Sequence, residues 1–479
     1  MTLPIHSRAV GTGTFPSGTT RPRLTFIGTG YLGATYAICF AELGYEVLGV
    51  DVDTDKIENL RSGVVPFHEP GLDEVLHRNL DSGRLGFTTD FAEAAAFGDV
   101  HFICVGTPQG PEGVADLRYV EAAVTSLVPH LDRKVMLVGK STVPVGTTEW
   151  IRDLCRRFAP TDVAVEVAWS PEFLQEGHAV EDVLRPDRVV FGASSDWAID
   201  ALYAAHKGVF DLAMNEDREV PVVITDVATA ELVKVASNAF LATKISFINA
   251  MATMCDAAGA DVAQLARAMG YDERIGSKFL RAGVGFGGGC LPKDIRAFAA
   301  RAEQLGVTDL RFLGEIDAIN RRRRTRVVEL AAALLGCDVS RPTQPDLSGR
   351  RIAVLGAAFK PNTDDVRDSP ALAVASLLQG CGADLRVYDP AGLQNAQAAA
   401  PHLTYAKSLE DAARDADLVC VLTAWDEFRN VEPAALAGVV RQTRIIDAMN
   451  CLDPAEWIGV GWTYRGLGRY GSPTEPELR

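Results

Sequence analysis

A glycine turn set between two apolar strands restricts this chain more than any other feature. Leu24-Thr25-Phe26-Ile27 reads as a short strand running straight into Gly28-Thr29-Gly30-Tyr31-Leu32-Gly33, and an alanine-rich apolar stretch follows to about Leu43. The next apolar run, Glu46 to Val50, ends on Asp51. A strand, a G-x-G-x-x-G turn, a helix and a second strand closed by an acid make a βαβ unit built to hold a dinucleotide. The glycines allow the tight turn and a close backbone approach, and the helix N-terminus meets the pyrophosphate. Asp51 would accept hydrogen bonds from ribose hydroxyls and repel a 2′-phosphate, which favours NAD over NADP, with Lys56 nearby as the opposing charge. Context decides this reading, because Gly11-Thr12-Gly13 resembles the start of the pattern but has no strand before it.

Further strands are expected at Val100 to Val105, Val135 to Val138 and Val163 to Val167. Each leads into polar or small residues, so Thr107, Thr142 and Glu172 should converge where strand ends line the crevice of a doubly wound sheet. A helical pattern then runs from about Asp226 to Ala258, longer than one domain needs, which suggests a connector and a dimer-forming element. On it Lys234 and Asn238 are spaced i,i+4 and share a face, where a lysine could hold an oxyanion or relay a proton. Helical sequence continues to Gly336, a Pro-rich linker follows, and a second α/β unit opens at Arg351 with a glycine turn but no G-x-G-x-x-G. The expected fold is α/β: two Rossmann-like doubly wound lobes bridged by a long central helix and a helical domain. The expected division is an extension over 1–22, a dinucleotide-binding domain over 23–225, a central helical domain over 226–337, a linker over 338–349 and a second Rossmann-like domain over 350–479.

At 479 residues, with 47% hydrophobic and 23% charged residues, the chain is long enough for several globular domains. A net charge of −16 argues against nucleic acid or an anionic membrane as partner. Its nine cysteines are scattered and odd in number, and its eight histidines form no ligand-spaced cluster. Reduced thiols in a cytoplasmic protein without a metal site are therefore expected. No apolar run is long enough to span a bilayer, and the first twenty residues lack the apolar core of a signal peptide. The basic run Arg321 to Arg324 is expected on a solvated helix face or in a subunit contact.

The richest chemistry lies in Gly283-Val284-Gly285-Phe286-Gly287-Gly288-Gly289-Cys290-Leu291-Pro292-Lys293-Asp294. Pro292 is placed to open a helix, and a thiol beside a helix N-terminus and a lysine is pushed toward thiolate. Cys290 is thus a candidate nucleophile in a loop that lets a substrate approach the backbone.

Together with RIGSKFLRAGVGFGGGCLPKD (274–294), which contains this loop, the runs GTGYLG (28–33), FHEPGLDEVL (67–76), CVGTP (104–108), KSTVPVGT (140–147), SPEFLQEG (170–177), LVKVASNAFLATKISFIN (232–249) and AFKPNTDDVRDSP (358–370) carry a resemblance. From Arg23 to about Gly468 the chain resembles the UDP-glucose 6-dehydrogenase family, within the nucleotide-sugar dehydrogenases that include GDP-mannose dehydrogenase. The resemblance implies a four-electron oxidation of a primary alcohol to a carboxylate, with NAD used in succession and one water. It implies that Lys234, Asn238 and Asp294 handle the proton and developing charge, and that Cys290 traps the aldehyde. Glu172, with a water held by Thr142 and Asp294, would then hydrolyse the thioester. By the same resemblance Gly28, Gly30, Tyr31, Leu32, Gly33, Asp51, Lys56, Thr107, Thr142, Glu176, Lys293 and Arg367 would face NAD. Glu172, Phe173, Leu174, Gln175, Lys234, Asn238, Arg274, Phe279, Leu280, Arg281, Ala282, Gly283, Gly287, Phe359 and Lys360 would face the sugar nucleotide. Gly289 stands where serine is common in the family, and Ser277 where Asn or Pro is usual. The run NAFLATKISFIN favours UDP-glucose over GDP-mannose as substrate. A non-catalytic nucleotide-sugar sensor would be expected to lack a reacting residue, and none is missing.

Overall fold

The computed structural model describes residues 21–337 and 345–469. The expected extension up to Thr20 and the linker residues 338–344 lie outside the described residues. The chain divides into two compact units at Ala236/Ser237, inside the continuous helix Val227–Ala258.

The first unit is built on an eight-stranded sheet. Its strands are β1 (Leu24–Ile27), β2 (Val47–Val50), β3 (Leu85–Thr88), β4 (Val100–Ile103), β5 (Val135–Gly139), β6 (Val165–Trp169), β7 (Val189–Gly192) and β8 (Val222–Thr225). Their order is β3-β2-β1-β4-β5-β6-β7-β8, with Leu24 of β1 opposite Val47 on one side and Val100 on the other. Every pair is parallel except β6 with β7. The chain reverses direction across the sheet between β1 and β4, the switch point where such sheets bind ligands. Helices cover both faces, so β1, β2 and β4 are buried at every position and read as apolar runs, without alternation. The first helix, Tyr31–Glu42, is buried continuously from Gly33 to Ala41, and its Phe40 packs edge-on against Phe26 of β1. Strands β3, β7 and β8 were not expected from sequence.

The second unit holds the rest of the long helix, the helices Leu291–Gln304 and Phe312–Leu334, and a five-stranded parallel sheet. Its strands are β9 (Arg351–Leu355), β10 (Asp384–Tyr388), β11 (Leu418–Val421), β12 (Arg444–Asp447) and β13 (Thr463–Gly466), ordered β10-β9-β11-β12-β13. Gly356 at the end of β9 has φ +116 and repeats the turn made by Gly28 after β1. Asp389, after β10, stands where Asp51 stands after β2. Its carboxylate accepts from the backbone N–H groups of Ala357, Ala358, Ala391 and Gly392 and from the Trp425 indole, and it is fully buried. All its acceptor sites are thus used by the protein, which leaves none for a ribose.

Two histidines sit inside the first sheet and its cover. His101 of β4 hydrogen-bonds Thr25 at 2.7 Å, and His206 packs edge-on against Phe40 and Phe102. Burial pushes both down to about 3. The folded protein keeps both rings neutral, while the unfolded chain takes up their protons near pH 6.5. Their contribution to stability is therefore full above that pH and is lost as pH falls toward 3. Urea unfolding between pH 8 and 5 should show stability falling below pH 6.5, with a limiting slope near 1.4 kcal/mol per pH unit for each histidine. His206→Phe should flatten that slope, and an unchanged pH dependence would contradict the assignment.

Candidate active site

The three glycines of the first turn do different work. Gly28 has φ +92, and a Cβ on it would lie 2.8 Å from Val105. A Cβ on Gly33 would lie 1.9 Å from the Gly28 carbonyl oxygen. Nothing lies within 4 Å of where a Gly30 Cβ would be. Gly28 and Gly33 therefore serve turn and packing, whereas Gly30 leaves open space at the N-terminus of a helix whose first turn carries no acid. That space and the positive end of the helix suit a pyrophosphate. Asp51 accepts from the Thr29 backbone and hydroxyl at 2.8 and 3.1 Å and from the Lys56 ammonium at 3.0 Å. Burial works against its ionised form, but Lys56 and the backbone donors prevail and hold it below the usual carboxylate range. Leu32 lies in the first turn of the same helix, half-buried.

Across the strand ends of this unit the Thr107 hydroxyl donates to the Thr142 carbonyl at 2.7 Å, which joins the loops after β4 and β5. Glu172, after β6, is buried and pairs with Lys234 of the long helix at 2.8 Å. Its second oxygen accepts from the Leu174 N–H at 2.7 Å. Lys234 is 5% exposed, so it is not a surface lysine that only snorkels to water. Phe173, Gln175 and Glu176 follow in the same segment, and Arg188 lies over the Phe173 ring.

Two buried carboxylates that the sequence reading did not single out hold these loops. Glu69 accepts from the N–H groups of Gly177 and Ala179 and from the Tyr31 hydroxyl, fixing the far end of the Glu172 segment. Glu231 accepts from the N–H groups of Gly146 and Thr148, both at 2.7 Å, and so caps the helix Thr147–Phe158 that follows the Thr142 loop. Glu69 lay inside a quoted motif and Glu231 one turn before Lys234. Nothing local distinguishes them from solvated acids.

In the second unit Asn238 donates to Asp294 at 2.6 Å, with both side chains buried. Lys293 pairs with the other Asp294 oxygen. Cys290 occupies the N-cap position of the helix Leu291–Gln304, and Pro292 lies in that helix's first turn. Of the nine cysteines only Cys290 is exposed, and burial pushes Cys104, Cys155 and Cys420 up to about 12. The loop before it is threaded between fixed donors and acceptors. Asn249 accepts from the Gly283 N–H, Asn320 brackets Phe286 through both its amide atoms, and Asn450 donates to the Ala282 carbonyl. Phe279 adopts φ +62, Leu280 is buried and Arg281 is exposed. Arg274 is 89% exposed and forks onto Asp272.

The glycines at 287 and 288 are required by close approach to the second lobe's first loop, and Gly289 lies close to the movable Arg367 side chain there. Cβ atoms on the three would lie, in order, 2.4 Å from the Asp368 carbonyl, 2.8 Å from the Phe359 ring and 2.4 Å from the Arg367 guanidinium. A serine at 289, common in the family, would displace Arg367 from where this chain holds it, forked onto Asp365. Lys360 lies beside the Phe359 ring. The basic run departs from expectation. Arg321 and Arg322 are exposed, but Arg323 is 3% exposed and donates to the Gly283 carbonyl and the Thr253 hydroxyl, while Arg324 pairs with Asp368. Half of the run thus braces the cysteine loop and its neighbour. Among the described residues no His/Cys/Asp/Glu group is placed to hold a metal ion, and no helix is long and apolar enough to cross a membrane.

Residues 22–209, 228–322 and 353–454 match, in order, the NAD binding, central and UDP binding domains of the UDP-glucose/GDP-mannose dehydrogenase family. The chain belongs to this family. Its cofactor is NAD, held by the first unit, and the second lobe is the family's UDP-binding domain. A UDP-glucose 6-dehydrogenase of Rhizobium meliloti is 41% identical over 450 residues, covering 93% of this chain and 99% of the relative. A UDP-glucose 6-dehydrogenase of Bacillus subtilis is 38% identical over 448 residues, covering 93% of each. The solved structure of a UDP-glucose dehydrogenase from Pyrobaculum islandicum superposes with a TM-score of 0.85 at 37% identity, covering 95% of this chain and 100% of that one.

The glycine geometry separates binding from folding. Gly30→Ala should keep its stability, because φ is −69 and the methyl group enters empty space, yet weaken NAD binding by about tenfold or more. Gly33→Ala should instead destabilise the fold by about 3 kcal/mol. Fluorescence titration with NAD and denaturant unfolding of both variants test the division of labour.

Proposed function

We propose that the protein oxidises the primary alcohol of UDP-glucose to the carboxylate of UDP-glucuronate through a covalent thioester on Cys290. The observation that carries this reading is the exposed Cys290 at the start of a helix whose first turn presents Asp294 bonded to Asn238. A two-electron dehydrogenase needs no nucleophile, whereas holding an aldehyde for a second oxidation does.

The residues divide the work as follows. Lys234 and Asn238, one turn apart on one helix, and Asp294 take the alcohol proton and stabilise the developing oxyanion while the first hydride leaves. The Cys290 sulfur then bonds to the aldehyde carbon, and its proton passes to the new alkoxide, giving a thiohemiacetal. Loss of that hydroxyl proton and of a second hydride leaves a thioester. A water held by Thr142 and Asp294 and deprotonated by Glu172 adds to the thioester carbon, and the carbon–sulfur bond breaks to return the thiol. The balance is one alcohol and one water to one carboxylate, with two hydrides and three protons released. When bound, NAD supplies the acceptor for each hydride in turn. We assign Leu32, Asp51, Lys56, Thr107, Glu176, Lys293 and Arg367 to the cofactor. The segments Glu172 to Gln175 and Phe279 to Gly283, with Arg274, Gly287, Phe359 and Lys360, are assigned to the sugar nucleotide.

We further infer a homodimer through the long helix and a cytoplasmic location. Phe240, Phe247 and Met254 are 67%, 44% and 62% exposed and recur every seventh residue, a stripe suited to a partner helix. The nine cysteines are odd in number and scattered along the sequence, a pattern that fits a reducing compartment.

Purified protein given UDP-glucose and NAD should release two NADH for each sugar oxidised. Activity with GDP-mannose alone would overturn the substrate assignment. Cys290→Ser should lower steady-state turnover by about a thousandfold or more; an unchanged rate would refute the nucleophile. Phe240→Lys with Met254→Lys should give a monomer by light scattering if the stripe is the dimer contact.

A further inference from the structure

Lys140, the residue after β5, is unusual in that it is 2% exposed with no carboxylate at ion-pair distance among the described residues. Its ammonium lies 4.4 Å from the centre of the Tyr36 ring and 5.6 Å from that of Phe102. One N–H is accepted by the Ser170 carbonyl at 3.1 Å. Lys140 also lines a cavity of about 50 Å³ with Tyr36, Ser170, Gln175 and His206. Burial pushes the ammonium down to about 8, and the Glu172 charge is among those that partly oppose the shift. A buried cation without a counter-ion costs stability, so a lysine at this position calls for a reason.

The reason lies in what it holds. The Ser170 N–H donates to the Gly139 carbonyl at 2.9 Å, so both peptide groups of Ser170 are tied to the end of β5. Pro171 follows, and then Glu172, whose carboxylate must reach Lys234 and the Leu174 N–H together. Without the ammonium the Ser170 carbonyl would be left unsatisfied in a site with no exposure, and the turn that aims Glu172 would lose one of its two anchors. The cavity beside it leaves room for that turn to shift.

We propose that Lys140 is a positioning residue: by holding the Ser170 carbonyl it sets the Glu172 carboxylate against Lys234 for hydrolysis of the Cys290 thioester. This rests on the hydrolytic role of Glu172 proposed above. The test compares Lys140→Met, Lys140→Leu, Lys140→Arg and Glu172→Gln by rapid mixing with UDP-glucose and NAD, followed by intact-mass measurement. Two apolar replacements of different shape are made so that a folded variant is in hand. Either should give a burst of NADH, an adduct on Cys290 and a steady-state rate lowered by about tenfold or more. Because a slowed later step lowers KM together with kcat, kcat/KM for UDP-glucose should stay within about threefold, and Lys140→Arg should recover most of the turnover. Wild-type turnover in the apolar variants overturns the inference. So does slow turnover without burst or adduct when Glu172→Gln shows both. Absence of burst and adduct in Glu172→Gln would instead remove the hydrolytic role of Glu172, and this inference with it.

Discussion

Glu231, Lys234, Asn238, Ser246 and Asn249 lie buried along one helix at helical spacings, and each bonds a different segment of the chain. Glu231 caps the helix after the Thr142 loop, Lys234 meets Glu172, and Asn238 meets Asp294. Ser246 donates to the Ile316 carbonyl, and Asn249 accepts from Gly283 at the head of the cysteine loop. Buried polar groups must be satisfied or cost several kcal/mol each, so these side chains fix the segments they touch. The same helix exposes Phe240, Phe247 and Met254. Its buried side thus mixes these polar groups with apolar ones such as Ala242, Ile248 and Ala252, while an apolar stripe is left on its exposed side.

The chemistry grows out of these buried polar groups. A lysine and a carboxylate brought together with 7% and 8% of their side chains exposed remain useful as charges only while both stay in register. Register is supplied from behind: Glu69 holds Gly177 and Ala179 on one side of Glu172, and Lys140 holds Ser170 on the other. In the second unit the cysteine loop is braced likewise by Asn249, Asn320, Arg323 and Asn450, so an exposed thiol stands on a backbone with little freedom.

The two sheets show how similar local sequence diverges through long-range contacts. Both open with a strand, a glycine of positive φ and an acid after the second strand. In the first, Gly30 leaves space and Asp51 shares its oxygens with Lys56 and Thr29. In the second, Asp389 is consumed by four backbone N–H groups and an indole. The missing G-x-G-x-x-G was readable from sequence, but the fate of Asp389 was not, because Trp425 reaches it from 36 residues away.

The sequence alone determined what depends on short-range geometry. The turn at Gly28 to Gly33, the strand ending on Asp51, the helix over Val227–Ala258 and the glycine run before Cys290 follow from φ preference, period and spacing within a few residues. Tertiary structure decided which charges are buried and what they hold. Glu69, Lys140, Glu231 and Arg323 look like any solvated ions in the chain, and the Arg321 to Arg324 run looked like a surface face. Their roles arise from partners 30 to 110 residues distant, such as Ser170 for Lys140 and Ala179 for Glu69. Burial of a charge is a property of everything packed around it, and no local pattern of residues encodes it.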